Sequence, residues 1–312
     1  MAAPDDILLP ADLLRFQTTL APPAGRTALD VLAAADPYTN QNADAGLLVG
    51  RRVPIRQVAG WDVTADVYRP ATAGPLPVLV YLHGGGWVLG APSTHRRLAR
   101  DIAGLGLVVV VVDYRRAPRH RFPAAVDDTT DAIEWARRHA STWGGDPDRM
   151  VVAGDSAGAN LAAAALALGA EGCSAAVLAY GIYDVHRALP LLSGLVGGPD
   201  PDSQLYLDPV DARRLVDDPR LHPERHCAGF PPTLVLVGRR DPLVGESRAL
   251  AKQLTDRGVV HSYVEVEDAP HGFLQMPTES WHTDGLAVIG EFLTDVLPPT
   301  AHPGAGPGHA RR

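Results

Sequence analysis

Two stretches limit what this chain can fold into more than any other feature: "LPVLVYLH" at residues 76–83 and "LVVVVVDY" at residues 107–114. Both are apolar and rich in β-branched residues, without the alternation of a strand that has one wet face, so each predicts a strand buried on both faces. Such strands need helices over both sides of their sheet. Helical segments are predicted at about Arg96–Ala103, Ala124–Ala140, Ala157–Ala170, Glu246–Arg257 and Trp281–Leu297, and the runs "RMVVAG", "SAAVLAYG", "PTLVLVG" and "SYVEVEDA" continue the strand series between them. Strand and helix alternate, so the expected class is α/β, with a mostly parallel central sheet flanked by helices. Ahead of this series, "VPIRQVAG" and "WDVTADVYRP" alternate apolar and polar residues around Ala59-Gly60, as an antiparallel strand pair would.

Three segments fall outside the rhythm. Residues 1 to about 48 carry apolar pairs at helical spacing in "ILLPADLLRF" and "RTALDVLAAAD", and read as short helices packed on something else. Residues 183–226 are too long for a simple connection and hold helix-like pieces of their own. The expectation is a core at 49–182 and 227–298, an N-terminal cap segment at 1–48, a cap insertion at 183–226, and a disordered Pro/Gly-rich tail at 299–312. With 312 residues, one core plus a helical cap is the natural division.

Composition closes off several chemistries. The formal net charge is -8, with no basic stripe and no interleaved aromatics, which leaves nucleic-acid binding without support. No run of 18 uncharged apolar residues offers a spanning helix, so no membrane partner is expected. The opening "MAAPDDILLPADLL" has Asp5 and Asp6 where a secretory leader needs positive charge, and a cytoplasmic setting is expected. Cys173 and Cys227 are the only cysteines and read as buried free thiols. A Schiff-base mechanism would rest on Lys252, the one lysine, which sits in an amphipathic helical segment and reads as a surface residue.

The chemistry concentrates at turns. In "VVAGDSAGANL", Gly154-Asp155-Ser156-Ala157-Gly158 matches G-x-S-x-G at a strand-to-helix turn, where glycines two residues either side of the serine remove Cβ atoms that would clash. The other reading is a tight turn with an incidental serine. "YLHGGGWVLG" ends the first buried strand, and three glycines there let backbone N–H groups converge on a developing oxyanion together with the amide of Ala157. His83 reads as a structural hydrogen-bonding residue. A nucleophilic serine needs a base and an orienting carboxylate, later in the chain and in the order acid then histidine. Asp241 in "GRRDPLV" and His271 in "APHGF" fit. Asp268 competes with Asp241, and His261 precedes its strand and sits at the wrong end. His222 and His226, with Cys227, resemble a short metal pattern without further ligands; the two histidines read as solvated surface residues, so no metal and no cofactor are expected.

"HGGGW", "GDSAGANLAA", "DPL" and "HGF", with "DYRRAPRHRFPAAVDD", resemble the bacterial hormone-sensitive-lipase-like carboxylesterases of the α/β-hydrolase superfamily over about residues 50–298. The resemblance implies nucleophile Ser156, acid Asp241 and base His271, with Gly84, Gly85 and Ala157 as oxyanion donors. It also implies that residues 1–48 and 183–226 cover the acyl and alcohol pockets, which Trp87 and Asp155 are expected to help shape. The implied partner is a small-molecule ester of short to medium acyl length. Two departures, Arg119 where the family usually has Glu and the pair Arg239-Arg240 before the acid, bear on surface pairing rather than on the reaction. The fold also hosts acyl transfer, lactonisation and elimination, and receptors that have lost catalysis. A homodimer through the edge strand near "SYVEVEDA" or the helix that follows it is a further expectation.

Overall fold

The computed structural model describes residues 9–43, 46–192 and 206–297, with the side chains of 189–192 and 209 set aside. The tail 299–312 and residues 193–205 of the insertion lie outside the described residues. Eight strands form one sheet in the order β1-β2-β4-β3-β5-β6-β7-β8. These are β1 Leu47–Val58, β2 Trp61–Pro70, β3 Leu76–Leu82, β4 Val108–Asp113, β5 Gly145–Asp155, β6 Cys173–Ala179, β7 Thr233–Gly238 and β8 His261–Val266. The hairpin expected around Ala59-Gly60 is β1–β2, β2 also pairs antiparallel with β4, and all remaining neighbours are parallel. Val108 to Val112 of β4 are all buried, which is why that run shows no alternation.

The two faces hold two apolar clusters. One contains Val78, Val80, Val110, Val112 and the helix α5, Ala157–Ala167; the other contains Leu79, Tyr81, Val109, Val111 and residues of α9, Ser280–Val296. Every residue of α5 from Ala157 to Leu166 is buried, so this helix has no polar face, and alanine lets it lie close to the sheet. Among the described residues the other helices are α1 Ala11–Thr19, α2 Ala28–Thr39, α3 Arg96–Gly104, α4 Ala124–His139, α6 Val185–Leu192, α7 Pro209–Arg214 and α8 Val244–Asp256.

Much of "DYRRAPRHRFPAAVDD" is structural. Arg115, at the end of β4, grips Asp128 of α4 through its guanidinium and its amide, and Arg56 adds a second guanidinium at 2.6 Å. Asp128 is fully buried, so this pair locks α4 to the sheet. The Arg119 departure places its guanidinium over the Trp61 ring at 5.1 Å, and Arg239 pairs with Glu265 and Glu267. Neither reaches the site described next.

Helices α1 and α2 have a small cluster of their own, Leu13, Phe16, Val31, Ala35 and Tyr38 with Met276. Thr27 starts α2 with a reciprocal pair of bonds, its hydroxyl accepting from the Asp30 amide while the Asp30 carboxylate accepts from its own. Through this cluster the N-terminal helices sit against the loop that carries His271.

Candidate active site

Ser156 stands between the end of β5 and the start of α5, with φ 52° and ψ -119°, a conformation unusual for a residue with a side chain. The surroundings enforce it. A Cβ on Gly158 would come within 1.9 Å of the Leu82 carbonyl oxygen, and one on Gly154 within 2.4 Å of the Gly158 carbonyl carbon. The glycines flanking the serine are therefore required by close backbone approach. The Ser156 amide donates to the Ala179 carbonyl at 2.9 Å and ties the elbow to β6.

Ser156 Oγ lies 3.0 Å from His271 Nε2, and His271 Nδ1 lies 2.8 Å from Asp241 Oδ2. The other carboxylate oxygen of Asp241 accepts from the Leu243 amide at 2.7 Å, which fixes its orientation. Burial works against the charged form of His271, but the charge and hydrogen bond of Asp241, with a further contribution from Asp155, outweigh it and hold the imidazole pKa above its ordinary value. Asp268 is exposed, with φ 54°, and Asp241 is the carboxylate on the ring.

The glycine loop departs from expectation at one residue. The Gly84 N–H donates to Asp155 Oδ1 at 2.9 Å, so it is spent within the protein and cannot serve an oxyanion. Among the described residues, the amides of Gly85, Gly86 and Ala157 carry no such bond. Three glycines in a row gave no signal for which amides would be free, because the register depends on a carboxylate 71 residues away. His83 is buried, with Nδ1 2.9 Å from the Gly84 carbonyl and its ring stacked on Tyr114 at 4.2 Å, as a structural residue should be.

A cavity of about 800 Å³, counted to its open mouth, reaches Ser156 and His271. Its apolar wall is Phe16, Leu20, Leu32 and Leu89; its polar side includes Gln17, Asp36, Thr94, His95 and Gln275. Asp155 borders it, whereas Trp87 does not. The Trp87 side chain is buried underneath, stacked on Tyr206 at 4.3 Å and donating its Nε1–H to Asn160 Oδ1 at 3.2 Å. Trp87 itself has a positive φ of 61°. The lining residues of α1 and α2 carried no sequence signal beyond amphipathic spacing.

His222 corrects the surface reading. It is buried, with Nε2 3.0 Å from His186 Nδ1 and Nδ1 3.2 Å from Asp184 Oδ1, and His186 Nε2 lies 2.8 Å from the Ala212 carbonyl. These three side chains are the one group among the described residues with metal-ligand atom types close together. Asp184 and His186 face opposite nitrogens of His222, which suits a hydrogen-bonded string better than convergence on one ion. His226 is exposed, and Cys227 is a buried free thiol; Cys173 is only half-buried.

No helix among the described residues is long and apolar enough to cross a membrane. Residues 79–275 match a family model described as an α/β-hydrolase fold. The carboxylic ester hydrolase LipN of Mycobacterium tuberculosis is 36% identical over 232 residues, which are 69% of this chain and 62% of LipN, so the chain spans less than two thirds of that relative. The ethyl acetate hydrolase of Pseudomonas putida is 32% identical over 256 residues, 76% of this chain and 80% of that enzyme. Among solved structures, an esterase of Pyrobaculum calidifontis superposes with a TM-score of 0.75 at 29% identity, over 93% of this chain and 99% of its own. The chain belongs to the α/β-hydrolase superfamily, in its hormone-sensitive-lipase-like carboxylesterase family.

Proposed function

We propose that this protein is a serine carboxylesterase that hydrolyses short to medium acyl esters through an acyl-enzyme. The observation that carries the reading is the string Ser156–His271–Asp241 opening on a solvent-reaching cavity. In this mechanism His271 Nε2 takes the Ser156 hydroxyl proton as Oγ attacks the ester carbonyl carbon, and the Gly85, Gly86 and Ala157 amides hold the resulting oxyanion. Collapse breaks the bond to the alkoxy oxygen, which leaves with the proton from His271. Water then loses a proton to His271 and attacks the acyl carbon, the acid departs, and Ser156 recovers its proton. Asp241 holds Nδ1–H toward itself and offsets the positive charge of the ring in each half-reaction.

Relatives named as ester hydrolases favour hydrolysis over acyl transfer for the same string. Residues 1–48 and 183–226 act as the cap, a reading that the cavity-lining side chains of α1 and α2 support for the first of the two segments. Two free cysteines are in keeping with a cytoplasmic setting. The outer edge of β8, unpaired in the sheet, is the surface for a homodimer. The test is turnover of p-nitrophenyl esters from acetate to decanoate with labelling by an organophosphonate. Wild type is expected to favour the shorter esters and to label at Ser156, and Ser156→Ala to do neither; an active Ser156→Ala enzyme would sink the proposal.

A further inference from the structure

The carboxylate beside the nucleophile has a partner that the reaction above leaves unused. Asp155 is buried at the edge of the cavity, and three groups meet its Oδ1: the Tyr81 hydroxyl at 2.8 Å, the Gly84 amide at 2.9 Å and His95 Nε2 at 3.2 Å. Tyr81 belongs to β3 and is fixed by the sheet, and Gly84 belongs to the glycine loop. His95 stands at the end of a short helical turn, Pro92–His95, and borders the cavity.

Two further contacts hold its ring. The Thr94 hydroxyl donates to the Ala91 carbonyl at 2.8 Å, and its Oγ1 lies 2.8 Å from His95 Nδ1. Nε2 faces the Asp155 carboxylate and points its hydrogen there, beside the side-chain amide of Gln275. Burial alone would favour a protonated Asp155, but the charge of His95 first, then hydrogen bonds from His95, Tyr81 and Gly84, hold its pKa below the usual carboxylate range.

Asp155 is therefore an anion with one covalent neighbour that matters, Ser156, and one hydrogen-bonded neighbour that matters, Gly84. A Cβ on Gly84 would lie 2.5 Å from Asp155 Oδ2, so the carboxylate and the loop are in direct contact. The position of this carboxylate sets the distance between the elbow and the glycine loop, and with it the directions of the Gly85 and Gly86 amides.

We propose that His95 is a positioning residue for the oxyanion loop: its Nε2–H holds Asp155 Oδ1 where that oxygen retains the Gly84 amide. The inference rests on the esterase reading of Ser156. It assigns His95 no contact with the reacting atoms, so its removal acts on the transition state through loop geometry and leaves ground-state binding largely intact.

The experiment compares His95→Asn with His95→Gln. Asn places its amide where Nδ1 was and keeps the Thr94 contact while leaving Asp155; Gln reaches the Nε2 position and keeps a donor on Asp155. On p-nitrophenyl butyrate, His95→Asn is expected to lose about 30-fold in kcat with KM within about twofold of wild type, the scale of a misplaced oxyanion donor. His95→Gln is expected to stay within about fivefold of wild type in kcat. Melting temperatures of the two variants control for general damage, and Asp155→Asn combined with His95→Asn is expected to cost no more than the worse single change. Equal losses in both variants, a rise in KM at constant kcat, or full activity in His95→Asn would each overturn the assignment. An active Ser156→Ala enzyme would instead overturn the esterase reading itself, so the two failures are distinct.

Discussion

The backbone amide of His271 donates to the carbonyl of Gln17 at 3.2 Å, joining the loop that carries the proposed base to the first helix of the chain. The next residue, Gly272, has φ 67°, and a Cβ there would lie 2.6 Å from the Gln17 side-chain nitrogen. Gly272→Ala is expected to strain the left-handed backbone beside His271 and displace the Gln17 side chain, lowering kcat about tenfold with a drop in melting temperature, measured by aryl-ester kinetics and thermal unfolding.

Asp241 raises the pKa of His271, and a general base works only when neutral. The acid limb of kcat/KM is therefore expected above the ordinary histidine value, with activity lost as pH falls through it. Asp241→Asn removes the charge and the correct tautomer together. It is expected to lower kcat by about 10³-fold to 10⁴-fold and to move the acid limb to lower pH, both visible in one pH–rate profile.

Asp128 is fully buried between Arg115 and Arg56 and takes no part in the proposed chemistry. Asp128→Ala leaves a largely buried guanidinium without its anion, and a loss of about 3–5 kcal/mol in unfolding free energy is expected from denaturant titration. The active fraction that remains folded should keep the wild-type KM.

Glu224 is buried near Asp184, and burial first, with that neighbouring charge second, pushes its pKa up to about 7. A folded pKa above the unfolded one means that the folded state binds the extra proton, so this group's stabilising contribution is full at low pH and is lost as pH rises toward 7. Glu224→Gln is expected to raise the melting temperature at pH 8.5 and to change it little at pH 5. The opposite ordering would show that its partners Arg225 and Arg187 stabilise the anion.

The apolar wall of the cavity comes largely from α1 and α2 through Phe16, Leu20 and Leu32. Phe16→Ala is expected to enlarge it and shift the ratio of kcat/KM for hexanoate over acetate upward by about tenfold, read from an acyl-chain series.

The sequence by itself determined the sheet, its parallel centre and the serine elbow, because doubly buried strands leave a β-branched run and a tight strand-to-helix turn leaves glycine at fixed spacing. Asp241 and His271 were legible for the same reason: each follows a strand, and strand ends in a parallel sheet share one rim. What only the tertiary structure decided lies across elements. The Gly84 amide is spent on Asp155, Trp87 turns under the loop, and His222 is enclosed by Asp184 and His186, since each outcome depends on a partner brought close by packing. The cavity wall belongs to that second class as well. An amphipathic pattern announces that a helix buries one face, but which surface receives that face is set by the shape and charge of everything else in the fold.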